Sequence, residues 1–202
     1  MKKSLKRWSK ASLVSLRAML VLTVLLGVVY PLVMTAIGQV AFPGRSNGSL
    51  VTDQSGTVVG SSLVGQSFSD KDGNPLPQYF QPRLSVHDYD ATQSGGSNLG
   101  PDNPELVARI AASRAAIAAF NGVAESAVPA DAVTASESGL DPDISPQYAA
   151  IQINRVASAR GLTPDQVAGV VRQNTLGRTL GFIGEPRVNV VTLNLALDQL
   201  PG

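Results

Sequence analysis

The sequence contains no cysteine and a single histidine, His87. Disulfides, thiolate chemistry and cysteine-ligated zinc are excluded, as is a metal site that this chain builds from several imidazoles. Signatures for handling nucleotides are missing too. No Gly-x-x-x-x-Gly-Lys-Ser/Thr loop and no Asp-Lys-Thr-Gly-Thr phosphorylation sequence occurs, so the chain lacks both common devices for hydrolysing ATP by itself. One histidine rules out His-Glu-x-x-His, and no Gly-x-Ser-x-Gly elbow is present. Charge is scarce, with no charged residue from Ala18 to Gly44 and no acidic one before Asp53.

That charge-free run is the strongest feature present. Its centre reads Met19-Leu-Val-Leu-Thr-Val-Leu-Leu-Gly-Val-Val-Tyr30, and the run exceeds the roughly 20 apolar residues needed to cross hydrocarbon. We read one transmembrane helix over 18–41. Lys2, Lys3, Lys6, Arg7, Lys10 and Arg17 precede it, whereas only Arg45 stands between it and Asp53. The positive-inside rule then places a basic N-terminus, 1–17, in the cytoplasm and residues 45–202 outside it. A cleaved secretory signal has the same plan, but with an apolar stretch of only about 7–15 residues. Pro31 predicts a kink, and Gly27 and Gly38 suit close helix approach.

Without the six basic residues ahead of the span, ten basic residues remain against fifteen acidic, a net charge of −5. A mildly acidic soluble part argues against nucleic acid as a partner. Its length suits one compact domain. From Arg45 to about Gly100, short apolar alternations such as Thr57-Val-Val-Gly-Ser-Ser-Leu-Val-Gly65 lie among Gly, Ser, Asn, Asp and Pro, which predicts short strands joined by turns. Gln54-Ser-Gly-Thr57 and Asp72-Gly-Asn-Pro75 are turn candidates. Further on, Asn103-Pro104, Ser145-Pro146 and Thr163-Pro164 each set a capping oxygen before a proline, the pattern of a helix start. The first of these helices presents Leu106, Ile110, Ile117 and Phe120, and the second Ile153, Val156 and Ala157, with Gly161 as its stop. Val188-Asn-Val-Val-Thr-Leu-Asn-Leu195 reads as a strand. The fold class is α+β: one N-terminal transmembrane helix followed by a single soluble α+β domain.

Four clusters invite a chemical reading. His87 beside Asp88 suggests part of a Ser-His-Asp site, although adjacent residues seldom face one another, and a solvated loop is the plainer reading. Ser94, Gly95, Gly96, Ser97 and Asn98 form a glycine-rich loop ahead of a helix, suited either to cradling an anion or to packing tightly on a partner. Ala135 to Ser145 offers oxygen ligands without the acid spacing of an EF-hand, so turn-and-cap structure is preferred. Tyr148, Gln152 and Arg155 share a helix face, either an interface or an ordinary surface stripe.

In combination these segments resemble the C subunit of the Kdp-type potassium-transporting P-type ATPase, over nearly the whole chain. The blocks that carry the resemblance are Gly27-Val-Val-Tyr-Pro31, Asn47-Gly-Ser-Leu50, Gly60-Ser-Ser-Leu-Val-Gly-Gln66, Tyr79-Phe80 with Arg83, and Ser94-Gly-Gly-Ser-Asn-Leu99. Val133-Thr-Ala-Ser136, Ser138-Gly-Leu-Asp141, Ile144-Ser-Pro146, Gln152-Ile153, Arg155-Val-Ala157, Val188-Asn-Val190 and Leu193-Asn-Leu-Ala-Leu-Asp198 follow in order. Asp143 and Asn174, where the family commonly has histidine, and Leu84, where it has proline, depart from the pattern.

The resemblance implies a non-catalytic accessory subunit of an ATP-driven, high-affinity potassium uptake complex in the bacterial inner membrane. Its partners would be an ion-channel-like pore subunit, an ATP-hydrolysing subunit and membrane lipid. It would be needed for assembly and would raise the ATP affinity of the hydrolysing subunit, with ATP and potassium handled by the complex and no cofactor bound tightly. It also implies a nucleotide-contacting glutamine, for which Gln152 is the candidate. Gly27, Tyr30, Pro31, Gly38, residues 94–98 and Tyr148 are the candidate partner contacts. The charge bias conflicts with a direct nucleotide contact, because an extracytoplasmic domain cannot reach a cytoplasmic nucleotide site. Two other readings are a membrane-anchored envelope hydrolase based on His87 and a solute-binding module based on the glycine-rich loop.

Overall fold

The computed structural model describes residues 2–200, with side chains from residue 10 onward. Of the basic N-terminal segment, the side chains of Lys2, Lys3, Lys6 and Arg7 lie outside the described residues. Two compact units are present, Met1–Ser49 and Leu50–Gly202.

The first unit is helical. Helix α1 (Lys2–Val24) leads into a π-helical turn, Leu25–Val29, and then α2 (Tyr30–Ala41). Neither glycine nor proline occurs before Gly27, so the helix starts well ahead of residue 18 and runs through the basic segment. Within it, Lys10–Ala41 is long and apolar enough to cross a membrane, with mean hydropathy 2.4. The expected consequence of Pro31 takes the form of the π turn, in which Tyr30 N–H donates to Leu25 O, five residues back. Widening the helix here relieves the clash between the proline ring and the preceding turn. A short helix, α3 (Pro43–Ser46), follows. Asn47 fastens it to α2, with Nδ2 donating to Gln39 Oε1 at 3.1 Å and to Pro43 O at 2.7 Å.

The second unit opens with an antiparallel pair, β1 (Leu50–Thr52) and β2 (Val58–Ser61), matching the expected alternations. Their turn closes on Asp53, whose carboxylate accepts from Ser55 N at 2.8 Å and Thr57 N at 2.9 Å. Asp70 holds the second expected turn likewise, accepting from Asp72 N and Asn74 N. Asp90 repeats the device with Thr92 N and Thr92 Oγ1. These bonds, above all those from the Ser55, Asn74 and Thr92 side chains, keep all three carboxyl groups below their usual value. Beyond β2 the expected succession of strands is not found. Residues 62–103 form turns and irregular chain.

Three helices start where the capping residues predict. They are α4 (Pro104–Asn121), α6 (Pro146–Arg160) and α7 (Pro164–Gln173), with α5 (Ala130–Val133) and the strand β3 (Asp143–Ile144) preceding α6. Asn103, Ser145 and Thr163 accept from Glu105 N, Tyr148 N and Gln166 N, and Thr163 with Gln166 completes a capping box. Gly161 ends α6 at φ 67°, in the left-handed region that glycine adopts without strain.

The C-terminal expectation needs correction. Only Arg187–Asn189 is extended, as β5, and it lies between β3 and β4 (Thr175–Leu176) in an antiparallel sheet. Helix α8 (Val190–Asp198) takes over where Asn189 Oδ1 accepts from Thr192 N at 3.1 Å. Beyond that cap, Val190, Val191, Leu193, Asn194 and Leu197 are all buried, a helical period that outweighs the β-branched composition. The core includes Phe80, Val156, Val167, Val188, Leu193 and Leu197. The class is α+β, as expected.

Candidate functional site

The buried Phe80 belongs to an irregular segment outside any strand, so its polar backbone groups require other partners. Side chains from α6 and α8 supply them. Asn194 Oδ1 accepts from Phe80 N at 2.8 Å, and its Nδ2 donates to Phe80 O at 3.0 Å. Gln152 repeats the arrangement one residue on, accepting from Gln81 N at 2.7 Å and donating to Gln81 O at 3.1 Å. Each amide thus stands in for a neighbouring strand.

Two arginines complete the strap. Arg155 Nη1 donates to Pro77 O at 2.5 Å and Tyr79 O at 3.0 Å, Nη2 to Gln152 Oε1 at 2.7 Å, and Nε to Asn121 Oδ1 at 2.9 Å. Its guanidinium lies 4.3 Å from the centroid of the Phe120 ring. Arg160 Nε donates to Gln78 O at 2.6 Å, and Nη2 bonds Asp198 Oδ1 at 2.7 Å. Every carbonyl from Pro77 to Gln81 therefore accepts from a side chain of α6 or α8. Burial pulls the Arg155 pKa down to about 10, which leaves it charged at neutral pH.

This arrangement redefines the helix face picked out in the sequence. Gln152 is 0% and Tyr148 3% exposed, so the face shared by Tyr148, Gln152 and Arg155 points into the domain rather than out as a surface stripe. As the chain stands, Tyr148 shows only a sliver of its surface. Both polar ends of Gln152 are engaged inside the domain.

The glycine-rich loop makes its close approach to the chain's own segment 136–139. Gly95 N donates to Ser138 O at 2.9 Å, as Ser94 Oγ does at 3.1 Å. A Cβ on Gly96 would lie 3.3 Å from Glu137 O. The loop therefore has one backbone donor fewer for an anion. Gly96 and Ser97 also line a recess of about 280 Å³, together with Leu106, Arg109, Ile110 and Glu137. A second recess, also about 280 Å³, lies beside the strap between Pro82, Leu84, Ile117, Phe120 and Tyr148.

His87 is exposed, and its backbone N–H donates to Ser85 Oγ at 3.3 Å. Among the described residues its imidazole bonds neither a serine hydroxyl nor a carboxylate, so no triad forms around it. Segment 135–145 is turn-and-cap structure: Ser136 Oγ accepts from Gly139 N at 3.1 Å, and Asp141 Oδ1 from Asp143 N at 2.9 Å. Asp141 also pairs with Arg83 at 3.0 Å. In the span, Gly27 lies in the π turn, Tyr30 is 58% exposed, and a Cβ on Gly38 would meet Ser46 at 3.5 Å.

Asn194 and Arg160 stand in no chemical cluster of the sequence, although a lone amide inside the apolar run Leu193-Asn-Leu195 is a signal for a buried polar anchor.

A family model described as K+-transporting ATPase, c chain matches residues 12–199. Proteins named potassium-transporting ATPase KdpC subunit are similar along their length. One from Burkholderia orbicola (strain MC0-3) is 54% identical over 181 residues, 88% of this chain and 90% of its own. One from Beijerinckia indica is 50% identical, covering 90% and 89%, and one from Herpetosiphon aurantiacus is 49% identical, covering 92% and 94%. With this match over most of its length, the chain belongs to the family of K+-transporting ATPase c chains, the KdpC subunits.

Proposed function

We propose that this chain is the non-catalytic accessory subunit of an ATP-driven, high-affinity potassium uptake complex in a bacterial inner membrane. The match over residues 12–199 carries that reading. Its partners are the pore subunit and the ATP-hydrolysing subunit, and its span lies among them in lipid. The N-terminus is cytoplasmic and residues 45–202 are extracytoplasmic, as the basic residues ahead of the span argue. It is needed for assembly, and it raises the ATP affinity of the hydrolysing subunit by favouring one conformation of the complex. Such an effect requires different contacts with its partners in two states of the complex. The burial of Gln152, with both polar ends engaged, favours this indirect route over contact with nucleotide.

The absence of native cysteine allows a clean test. A reporter cysteine at the exposed Ser126 is expected to react with a membrane-impermeant maleimide added outside intact spheroplasts. Labelling only after lysis would reverse the orientation. In the assembled complex, removing residues 50–202 is expected to weaken ATP affinity and potassium-stimulated hydrolysis, and unchanged activity would refute the accessory role.

A further inference from the structure

We infer that the turn Thr179–Ile183 is a preformed apolar plug that docks in an uncharged pocket of another subunit of the transport complex, an inference that rests on the accessory-subunit reading. Leu180 is 79%, Phe182 71% and Ile183 51% exposed, with Leu176 nearby in sequence at 50%. So many large apolar side chains displayed within one short turn form the kind of patch that marks an interaction site.

The turn is closed at its base by its own bonds. Thr179 N donates to Ile183 O and Ile183 N to Thr179 O, both at 2.9 Å, and Arg178 pairs with Glu185 across the base at 2.7 Å. Leu180 has φ 54°, a region that side-chain-bearing residues enter only when their surroundings impose it, and Gly181 follows at φ 82°. A fluid lipid surface accepts apolar side chains in any arrangement, whereas a fixed display suits a complementary protein pocket by lowering the ordering cost of association. Charge points the same way. Arg178 is paired with Glu185, and Arg187 with Asp143 at 2.8 Å, so the two arginines flanking the turn in sequence are already neutralised. The soluble part carries −5 overall, which is unfavourable for an anionic bilayer surface. An aromatic anchor such as Phe182 is typical of the centre of a protein interface.

The test uses the full chain co-expressed with its complex. Phe182 replaced by photoreactive benzoyl-phenylalanine is expected to give an ultraviolet-dependent adduct with another subunit. Leu180→Ser/Phe182→Ser is expected to lower recovery of the complex on affinity purification at least tenfold, with the thermal transition of the chain itself unchanged. Adducts with lipid alone, or full recovery of the complex, would overturn the inference. A chain deleted of residues 50–202 separates the two readings. If that deletion abolishes recovery while the turn variant assembles normally, the plug alone fails. If the deletion also assembles and keeps full potassium-stimulated hydrolysis, the accessory role fails with it.

Discussion

Replacing Gln152 by methionine keeps the length of the side chain and most of its volume but deletes the amide. Gln81 N–H, Gln81 C=O and one N–H of Arg155 then lose their partner. A buried polar group left without a bond costs about 1–3 kcal/mol. These three are part-buried, and Arg155 keeps its other acceptors, so the lower end of that range applies and the sum is about 2–4 kcal/mol. For a domain of this size each kcal/mol moves Tm by about 2–4 °C, which gives a fall of about 4–16 °C. Urea unfolding of the compact unit from Leu50 onward measures it directly, with an unchanged m-value as evidence that only stability moved. A loss below about 0.5 kcal/mol would refute the strap as a structural device. A nucleotide contact at Gln152 predicts a different outcome: ATP affinity would fall in Gln152→Met while the unfolding midpoint stayed where it was.

Arg155→Lys keeps the charge but cannot reproduce the forked bonds to Pro77 O, Tyr79 O, Asn121 and Gln152, so a loss of about 2–3 kcal/mol is expected by the same denaturation. Combined with Asn194→Ala, Gln152→Met is expected to depart from additivity by at least about 0.5 kcal/mol, because the two amides hold adjacent residues, Phe80 and Gln81. Gly65→Ala places a methyl group well inside contact distance of the Tyr89 ring and 2.9 Å from Asp141 O, so overpacking should cost about 1–3 kcal/mol in the same assay. Asp143 supplies a pH test. Burial raises its pKa from 3.8 despite the nearby Arg187, so the folded state holds this proton more tightly than the unfolded state does. Its ionisation therefore costs stability as pH rises through the raised value, and the cost disappears as pH falls below 3.8. Asp143→Asn should remove that component, so that the difference in urea midpoint from the parent narrows on acidification and is flat at neutral pH.

The local elements were legible because local rules govern them. Asn103, Ser145 and Thr163 before proline fix three helix starts, and Gly161 fixes a stop, through contacts within a few residues. The span was equally plain, since charge is costly in hydrocarbon wherever the neighbours are. After Val188 the β-branched residues favour a strand locally, whereas the Asn189 cap and the burial of one face of α8 select a helix after only three extended residues. The strap could not be read at all. Its bonds join Pro77–Gln81 to Gln152, Arg155 and Asn194, with sequence separations of 71 between Gln81 and Gln152 and 114 between Phe80 and Asn194.

By itself the sequence determined the membrane-spanning helix, the charge asymmetry around it, the starts of α4, α6 and α7 and the family, because each is written in composition or in residues close together along the chain. Tertiary structure alone decided that Tyr148, Gln152 and Arg155 face inward, that the glycine-rich loop packs on segment 136–139, and that Leu180 and Phe182 are displayed to solvent. An amphipathic pattern shows that a face exists but not which neighbour covers it. That neighbour, the irregular chain around Phe80, comes from a distant part of the sequence.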